Sequence, residues 1–302
     1  MANLQVQELI DAGIHFGHPA SRWNPKMAPY IYGRRNFIHI IDLKETVKGL
    51  IRAKKFLIRL VAEGKDVIFV GTKRQARAAI EQEAKRCAMP YVSYRWLGGT
   101  LTNFRTIRSR MSHLDELDQM VASGAINAHS KKMISHLQRE HRKMKRNLDG
   151  IRTLERLPGA LVVVDPVREK NAVREAKKLN VPVVALADTE ADPDDLAVVI
   201  PGNDDAMRAI EIILKHVADA VAEGRANRAA IAAREGEGQA LTRAPSRPRA
   251  RGTQRAAEAE RPVPEMPLPK PHPALQEGAA ESGKAPGEPG KAPGEAPAPG
   301  GS

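Results

Sequence analysis

The amino-acid sequence predicts a three-layer α/β domain, built on a parallel sheet of about five strands and interrupted by an inserted α-helical hairpin. Three observations lead to this prediction. Short apolar runs alternate with amphipathic helical segments on both sides of residues 104–156. Several of these runs are apolar throughout, as in strands whose two faces are both covered by helices. Within residues 104–156 the alternation gives way to apolar residues spaced three and four apart, which is typical of paired helices.

Composition narrows the class of function. The 302 residues include 48 Lys and Arg against 36 Asp and Glu, a formal charge of +12, which favours an anionic partner and above all nucleic acid. The single cysteine, Cys87, excludes a disulfide framework and a cysteine-based zinc module and fits a reducing compartment. We find no secretory signal pattern and no run of roughly 18 apolar residues, so we expect a cytoplasmic protein with no membrane partner.

Residues 1–36 are predicted to form an N-terminal helix followed by an ordered arm. Apolar residues between Leu4 and Ala12 have helical spacing, and Gly13 ends the pattern. Residues 15–36 mix aromatic, basic, proline and glycine residues, which favours an irregular arm over a regular element. Aromatic rings can stack on bases while cations meet phosphates, so the RNA-binding candidates here are Arg22, Trp23, Lys26, Arg34 and Arg35. The alternative is that the aromatic side chains attach the arm to its own domain.

The α/β domain is predicted to comprise residues 37–103 and 157–224. Its apolar strands are expected at residues 38–41, 66–71, 91–94, 160–165 and 181–187, with a further apolar segment at 196–200. Its helices are expected at residues 43–60, 75–87, 169–179 and 204–221. Asp165, Asp188 and Asn203 each follow an apolar run, at the edge where doubly wound sheets place their sites.

The most unusual stretch of the chain, residues 95–110, joins the sheet to the hairpin at 104–156. It combines two aromatic residues, a glycine pair and four arginines, a mixture that a buried core does not need. The second hairpin helix carries five cations and one acid within residues 139–146. A solvated helix face is the alternative, but this density favours RNA. The candidate contacts are Arg95, Arg105, Arg108, Arg142, Lys143 and Arg146. Asp118 and His141 interrupt the apolar seam, and we place them at its edges.

Sequence motifs of an enzyme are absent. The chain has no dinucleotide-binding glycine motif, Walker sequence, nucleophile elbow or zinc-protease helix. Residues 71–75 place a glycine and two cations, Lys73 and Arg74, between a strand and a helix, an arrangement that suits a phosphate. That phosphate can belong to an RNA backbone, which we favour, or to a nucleotide bound by an enzyme with a doubly wound sheet.

A mixed imidazole and carboxylate cluster is a candidate metal site. His18 can meet Asp188, Asp204 and Asp205 near the carboxyl edge of the sheet, and imidazole with carboxylate ligands suits a divalent cation. The alternative is that the aspartates cap turns and helices and that His18 bonds locally. No cofactor is required on either interpretation.

Residues 225–302 are predicted to be a disordered tail. Alanine, proline, glycine and charged residues dominate the segment, which contains too little apolar surface to offset the entropy of ordering the chain. Because its charges nearly balance, most of the net positive charge belongs to residues 1–224.

Seven motifs resemble the signatures of the bacterial ribosomal protein S2 family and follow the family's order over about residues 4–224. They are HFGH at 15–18, RWNPKM at 22–27, IHIIDL at 38–43, FVGTK at 69–73, RWLGGTLTN at 95–103, DPD at 192–194 and IPGNDDA at 200–206. Residues 189–191 (TEA) depart from the family's usual sequence beside the aspartate cluster.

This resemblance implies a flavodoxin-like domain with a coiled-coil hairpin inserted after the third strand. It also implies a structural role in the small ribosomal subunit, with 16S ribosomal RNA and neighbouring ribosomal proteins as partners and no small-molecule substrate. In relatives the globular domain helps to seat ribosomal protein S1, and the cluster of His18 and aspartates can hold a metal ion.

Overall fold

A computed structural model describes residues 6–242 of the chain, with side-chain environments through residue 230. In chain order the elements are α1 (Val6–Asp11), β1 (Phe16–Pro19), β2 (Ile31–Arg35), β3 (Ile38–Ile41), α2 (Leu43–Ala62), β4 (Val67–Val70), α3 (Arg77–Cys87), β5 (Tyr91–Val92), α4 (Phe104–Ala122), α5 (Lys131–Leu148), β6 (Ala160–Val164), α6 (Lys170–Lys178), β7 (Val183–Ala187), β8 (Val198–Pro201) and α7 (Met207–Thr242).

The centre of the fold is a five-stranded parallel sheet with the order β5-β4-β6-β7-β8. Counted from β4 this order is 2-1-3-4-5, the flavodoxin-like arrangement. Every residue of β4, β6 and β7 is buried, which explains why these strands have continuous apolar sequences rather than alternating ones. The predicted α/β class and its parallel sheet of about five strands are therefore confirmed.

Helices cover both faces of this sheet and complete three layers. On one face, α2, α3 and α7 contribute Leu57, Ile80 and Ile213 to a core shared with the strands. On the other face, α6 and the base of the hairpin contribute Val173 and Met111. Burying these side chains removes apolar surface from water and is the main force that holds the layers together.

The N-terminal arm forms a second, antiparallel sheet, which corrects two expectations. Its strand order is β1-β3-β2, so the predicted strand at 38–41 pairs with the arm and not with the parallel sheet. The arm itself is more regular than an aromatic and basic loop. Asn36 and Phe37 have φ of 49° and 63°, the conformation of a two-residue hairpin turn that joins β2 to β3. Glycine and proline within the short arm strands obscure this pairing in the sequence.

Helices α4 and α5 form the hairpin between β5 and β6. Because β3 lies outside the parallel sheet, the hairpin follows the second strand of that sheet in chain order and not the third. At the base of the hairpin, Ile107, Met111 and Leu148 are buried against the main domain. At its tip, Leu117 and Ile126 are buried where a short 3-10 turn links the two helices. The outer faces of both helices are exposed.

The last helix, α7, extends further than the sequence suggested. It continues through Arg225, where we expected a disordered tail to begin, and ends at Thr242. Alanines and charged residues favour helix in this segment, so the composition that suggested disorder is also compatible with a helix that extends from a packed start. The predicted disorder of residues 243–302, like the start of the first helix before residue 6, lies outside the described residues.

Candidate nucleic-acid interface

A cluster of charged side chains lies at the carboxyl edge of the parallel sheet. Lys73 follows β4, Asp165 follows β6 and Asp188 follows β7, because parallel strands bring their last residues to one edge. The loop before α7 adds Asp204 and Asp205. The Lys73 Nζ lies 2.6 Å from an oxygen of each of these two aspartates and 3.7 Å from Asp165 Oδ2. We call these five residues the edge cluster.

Lys73 is consequently not an exposed cation. Its residue surface is only 8 % accessible, and although burial lowers the pKa of its ammonium, hydrogen bonds to Asp204 and Asp205 raise it. Lys73 as a contact of ribosomal RNA stays a prediction, although the pairing of its charge inside the domain does not favour that role. The switch point between β4 and β6, where related sheets bind nucleotides, contains the ion pair of Lys73 and Asp165 instead.

His18 faces the edge cluster from the arm. Its Nε2 is buried and has no hydrogen-bond partner in the described chain, yet it lies 3.8 Å from oxygens of Asp188, Glu190 and Asp204 and 4.0 Å from Asp205 Oδ2. Ligand atoms of His18, Asp188 and Asp204 all lie within 4.8 Å of one another. One imidazole nitrogen and several carboxylate oxygens are a donor set that suits Zn²⁺, so these three residues fit a divalent cation.

The charged groups in this cluster shift one another's pKa values. Asp204, together with Asp188 and Glu190, raises the pKa of His18 to about 9 against a smaller opposing effect of burial. Burial raises the pKa of Asp188 to about 6. The pKa of Asp204 is lowered despite its burial, because His18 and Lys73 stabilise its ionised form. Asp204 is therefore the central anion of the cluster.

The arm is fixed to the loop after β7 by backbone contacts. The His18 N–H donates to Asp188 Oδ1 at 3.1 Å and to Thr189 Oγ1 at 3.2 Å, and the Asn24 N–H donates to the Thr189 carbonyl at 2.8 Å. A Cβ at Gly17 would lie 2.7 Å from Thr189 Cγ2, so only glycine permits this approach. The edge cluster thus connects the arm to the α/β domain.

Two of the arm's RNA-binding candidates have partners within the protein. Lys26 Nζ pairs with Asp192 at 2.9 Å and with Asp194 at 2.5 Å, although its side chain remains about half exposed. These carboxylates raise the pKa of the Lys26 ammonium. Trp23 packs at 5.1 Å between ring centroids against His39 and keeps 40 % of its surface exposed. The alternative interpretation, in which arm aromatics attach the arm to its own domain, holds in part for Trp23.

The hairpin of β2 and β3 presents the remaining arm candidates. Arg22, Arg34 and Arg35 are exposed. The guanidinium of Arg34 lies 6.0 Å from the ring centroid of Phe37. Phe37 and Tyr32 are 78 % and 81 % exposed, larger fractions than Trp23, and our list of candidates omitted both. The signal that could have identified them was their position on either side of the arginine pair Arg34 and Arg35.

The stretch at residues 95–110 is organised by a carboxylate that the sequence did not reveal. Glu175 of α6 accepts hydrogen bonds from Trp96 Nε1 at 3.0 Å and from the N–H groups of Gly99, Leu101 and Thr102 at 2.8, 3.0 and 3.1 Å. These bonds hold the pKa of Glu175 below its ordinary value, although burial acts to raise that pKa. Trp96 and Leu101 are buried, so half of the stretch forms the joint between domain and hairpin.

The arginines of this stretch and the cations of α5 point outwards. The exposed candidates are Arg74, Arg95, Arg105, Arg108, Arg142, Lys143 and Arg146. Within residues 6–230, no acidic side chain lies within 4.0 Å of their charged groups, in contrast to the ion pairs of Lys26 and Lys73. Asp118 and His141, the polar exceptions of the seam, bond to each other at 2.6 Å, and Asp118 also binds Arg152. These contacts hold the two helices of the hairpin together. The exposed cations of the hairpin, Arg105, Arg108, Arg142, Lys143 and Arg146, have no acidic partner among the described side chains, and we call them the basic face.

Comparison with known proteins gives one consistent result. The sequence model of the family described as ribosomal protein S2 matches residues 9–224. A small ribosomal subunit protein uS2 of Rhodopirellula baltica is 58 % identical over 225 residues, which cover 74 % of this chain and 86 % of the relative. The protein of the same name from Geotalea uraniireducens is 50 % identical over 224 residues, which cover 74 % and 88 %. Among the helices of the described chain, none has the length and apolar character needed to cross a membrane.

Proposed function

The chain belongs to the ribosomal protein S2 family and is a structural component of the small ribosomal subunit and not an enzyme, and from this premise we propose that it binds 16S ribosomal RNA through the exposed cations of its arm, joint and hairpin. The observation that carries the proposal is the set of exposed, unpaired cations on one continuous stretch of chain, from Arg95 through α4, together with those of α5. Cations without carboxylate partners are available to phosphates.

The proposed mechanism is electrostatic docking. Arg95 lies before the hairpin, Arg105 and Arg108 lie in the first turns of α4, and Arg142, Lys143 and Arg146 lie in the second half of α5. Contacts of this kind release counterions from RNA and make affinity fall with salt concentration. They fix position and orientation, whereas the shape of the folded RNA supplies the register. Arg22, Arg34, Arg35 and Arg74 extend the same function to the arm and the sheet edge, with Trp23 and Lys26 in smaller roles because both already contact the protein.

The edge cluster has a different proposed role, which is to hold the arm in place. A divalent cation, when bound, would be held by His18, Asp188 and Asp204 and would supply charge neutralisation between the arm and the loop after β7. Asp205 is the weakest of the four predicted ligands, because its side chain is half exposed and its Oδ2 lies 4.0 Å from His18 Nε2, farther than the oxygens of Asp188 and Asp204. Elemental analysis of purified protein with and without His18→Ala tests the metal, and equal metal content in both would remove His18 as a ligand.

A second proposal is that the globular domain helps to seat ribosomal protein S1. The supporting observation is an open apolar groove of about 400 Å³ between α1 and the arm sheet, lined by Val6, Ile10, Tyr32, Ile40 and Leu43 among others. Val6, Ile10 and Tyr32 expose 40 % or more of their surfaces. Apolar patches of this kind on a soluble domain mark interaction sites. Loss of S1 from subunits that carry Tyr32→Ser, with normal occupancy of the chain itself, is the expected result, and unchanged S1 content would contradict it.

Sucrose-gradient fractionation tests the main proposal. Tagged full-length chain should migrate with small subunits at low salt and should be released as salt concentration rises, which also tests the proposed cytoplasmic, ribosome-bound location. Its absence from small-subunit fractions would refute the proposal. The nucleotide-dependent enzyme considered from sequence has no support, since the family is structural and the sheet's switch point contains an internal ion pair.

A further inference from the structure

A small basic cavity lies where the hairpin returns to the sheet, and of the residues in its wall only Arg146 has a role in the function proposed above. It measures about 230 Å³, and its charged and aromatic wall is formed by Arg77, Lys85, Tyr91, Tyr94, Lys145 and Arg146. These residues come from α3, from β5 and the residues after it, and from the last turn of α5. We call this space the joint cavity.

Aromatic faces, and not carboxylates, hold three of its cations. The guanidinium carbons of Arg77 and Arg146 lie 4.6 Å and 3.9 Å from the ring centroid of Tyr94. The Lys85 Nζ lies 5.7 Å from the ring centroid of Tyr91. An aromatic ring can position a cation without cancelling its charge, so these groups keep their full attraction for an anion.

The two carboxylates in the wall, Glu81 and Asp149, pair with groups other than the four cations. Glu81 accepts a hydrogen bond from Ser93 Oγ at 2.7 Å, and Asp149 pairs with Arg152 at 3.2 Å. Within the described chain, neither forms an ion pair with the four cations of the cavity. The joint cavity therefore retains an excess of positive charge.

A larger cavity provides a useful contrast. About 680 Å³ in volume, it lies at the amino edge of the sheet and is also lined by cations, including Arg59, Lys65 and Arg156. There Glu63 approaches Arg59 at 3.7 Å and Lys65 at 3.0 Å, and Arg156 approaches Asp66 at 3.8 Å. Each of these three cations has a carboxylate within 4.0 Å, whereas none of the four cations of the joint cavity has one among the described residues, so basic composition alone does not distinguish an anion site from a structural one.

The backbone fixes the relation between the two sides of the joint cavity. Gly150, just after α5, packs so closely on β5 that a Cβ there would lie 2.2 Å from the Tyr91 carbonyl oxygen. This contact sets the end of α5 against the sheet edge. Arg146 and Arg77 can then both lie against the Tyr94 ring without any contribution from a ligand.

We propose that the joint cavity binds a backbone phosphate of ribosomal RNA, so that a single nucleotide contacts the α/β domain and the hairpin together. This inference rests on the proposed RNA-binding function and assigns it a defined site. Two arginines and two lysines surround the anion, and the planar Arg146 side chain, stacked on Tyr94, leaves its outer side for an unstacked base. The site would fix the angle of the hairpin when the protein docks.

The test compares two double variants of the full chain that remove equal charge. Arg77→Gln with Arg146→Gln alters the joint cavity, and Arg59→Gln with Lys65→Gln alters the amino-edge cavity. Binding to 16S ribosomal RNA is measured by filter binding between 50 and 200 mM salt. Each lost phosphate contact should reduce the slope of log affinity against log salt by about 0.7 to 0.9. Because the site binds a single phosphate, the joint variant should lose about 0.7 to 0.9 in slope, which is about threefold less salt-induced weakening over this range.

The control variant should keep the wild-type slope. An unchanged slope in the folded joint variant would overturn the proposal while the wild-type protein still binds RNA, whereas failure of the wild type to bind would refute the proposed function itself. If the joint variant does not fold, Lys85→Gln with Lys145→Gln replaces it, because both side chains are exposed. Normal RNA binding with reduced occupancy on subunits would also overturn the phosphate assignment, since it would indicate an acidic protein partner.

Discussion

The edge cluster and the basic face of the hairpin are both built from charged residues, but they use their charges in opposite ways. Lys73 and Asp204 are 8 % and 1 % exposed and form an ion pair at 2.6 Å. Arg142 and Lys143 are exposed and have no acidic neighbour within 4.0 Å among the described side chains. Buried paired charges are costly to separate, whereas exposed cations contribute little to folding and remain available to a partner. Burial and pairing thus distinguish charges that hold the chain together from charges that bind RNA.

The largest predicted effect comes from a substitution that breaks the edge cluster. Lys73→Ala leaves Asp204 buried without its closest cation, and loss of one partner from a buried pair should lower the free energy of unfolding by about 3 kcal/mol. Arg74→Ala is the matched control, since the neighbouring side chain is exposed and should change stability by less than about 0.5 kcal/mol. Chemical denaturation of both variants measures the difference. Equal stability, with a reduced salt slope for Lys73→Ala, would place Lys73 on the RNA surface.

A second prediction concerns the joint between these two regions. Glu175→Ala removes the acceptor for Trp96 Nε1 and for three backbone N–H groups and should lower the free energy of unfolding by about 2 kcal/mol. Lys178→Ala, an exposed change on the same helix, should have little effect. Fluorescence should report the change, because Trp96 is buried. Wild-type stability in Glu175→Ala would show that the stretch at residues 95–110 does not need this carboxylate.

The same carboxylate predicts a pH dependence. The folded-state pKa of Glu175 is lowered, so its contribution to stability is fully present above its ordinary pKa of about 4.5 and is lost as pH falls through the folded-state value. Between pH 6 and pH 3 the wild type should therefore lose more stability than Glu175→Gln does. Parallel pH profiles of the two proteins would contradict the assigned role.

Substitutions in the basic face should weaken RNA binding and leave stability unchanged, the opposite of substitutions in the edge cluster. Arg142→Gln with Lys143→Gln should leave the free energy of unfolding within about 0.5 kcal/mol of wild type, because both side chains are exposed. It should reduce the salt slope of RNA binding by about 1.5, as expected for two lost phosphate contacts. Denaturation and filter binding on the same preparations measure the two quantities. A large loss of stability with an unchanged slope would show that these cations stabilise the fold and do not bind RNA.

The smallest predicted effect is within the hairpin. Asp118 binds His141 and Arg152, and these hydrogen bonds hold the pKa of Asp118 below its ordinary value. The side chain of Asp118 is nevertheless about 30 % exposed, so solvent weakens both contacts. Asp118→Asn should therefore destabilise the protein by no more than about 1 kcal/mol. Asp115→Asn, which removes a longer contact to Arg152 at 3.2 Å, should have a still smaller effect. Thermal unfolding ranks the two, and the reverse order would contradict this account.

The sequence pattern predicted the parallel sheet well, but it did not predict which groups the charged residues of the domain contact. The apolar runs that became β4, β6 and β7 are recognisable because each is buried on both faces. The burial of Lys73 was not predictable, because its partner Asp204 is 131 residues away in the sequence. The organising role of Glu175 depends on contacts more than 70 residues apart. Strands β1 and β2 of the arm were missed, since their pairing with β3 depends on a tight turn and not on apolar alternation.

Lysine acylation, compared between free protein and protein on small ribosomal subunits, tests the central claim most directly. Lys143 and Lys145 are exposed, so they should react in the free protein and become protected on the subunit. Lys73 should react slowly in both states, because its ammonium is buried among aspartates. The opposite result, with Lys143 and Lys145 still reactive on the subunit and Lys73 protected only there, would contradict the division between structural and RNA-binding charges.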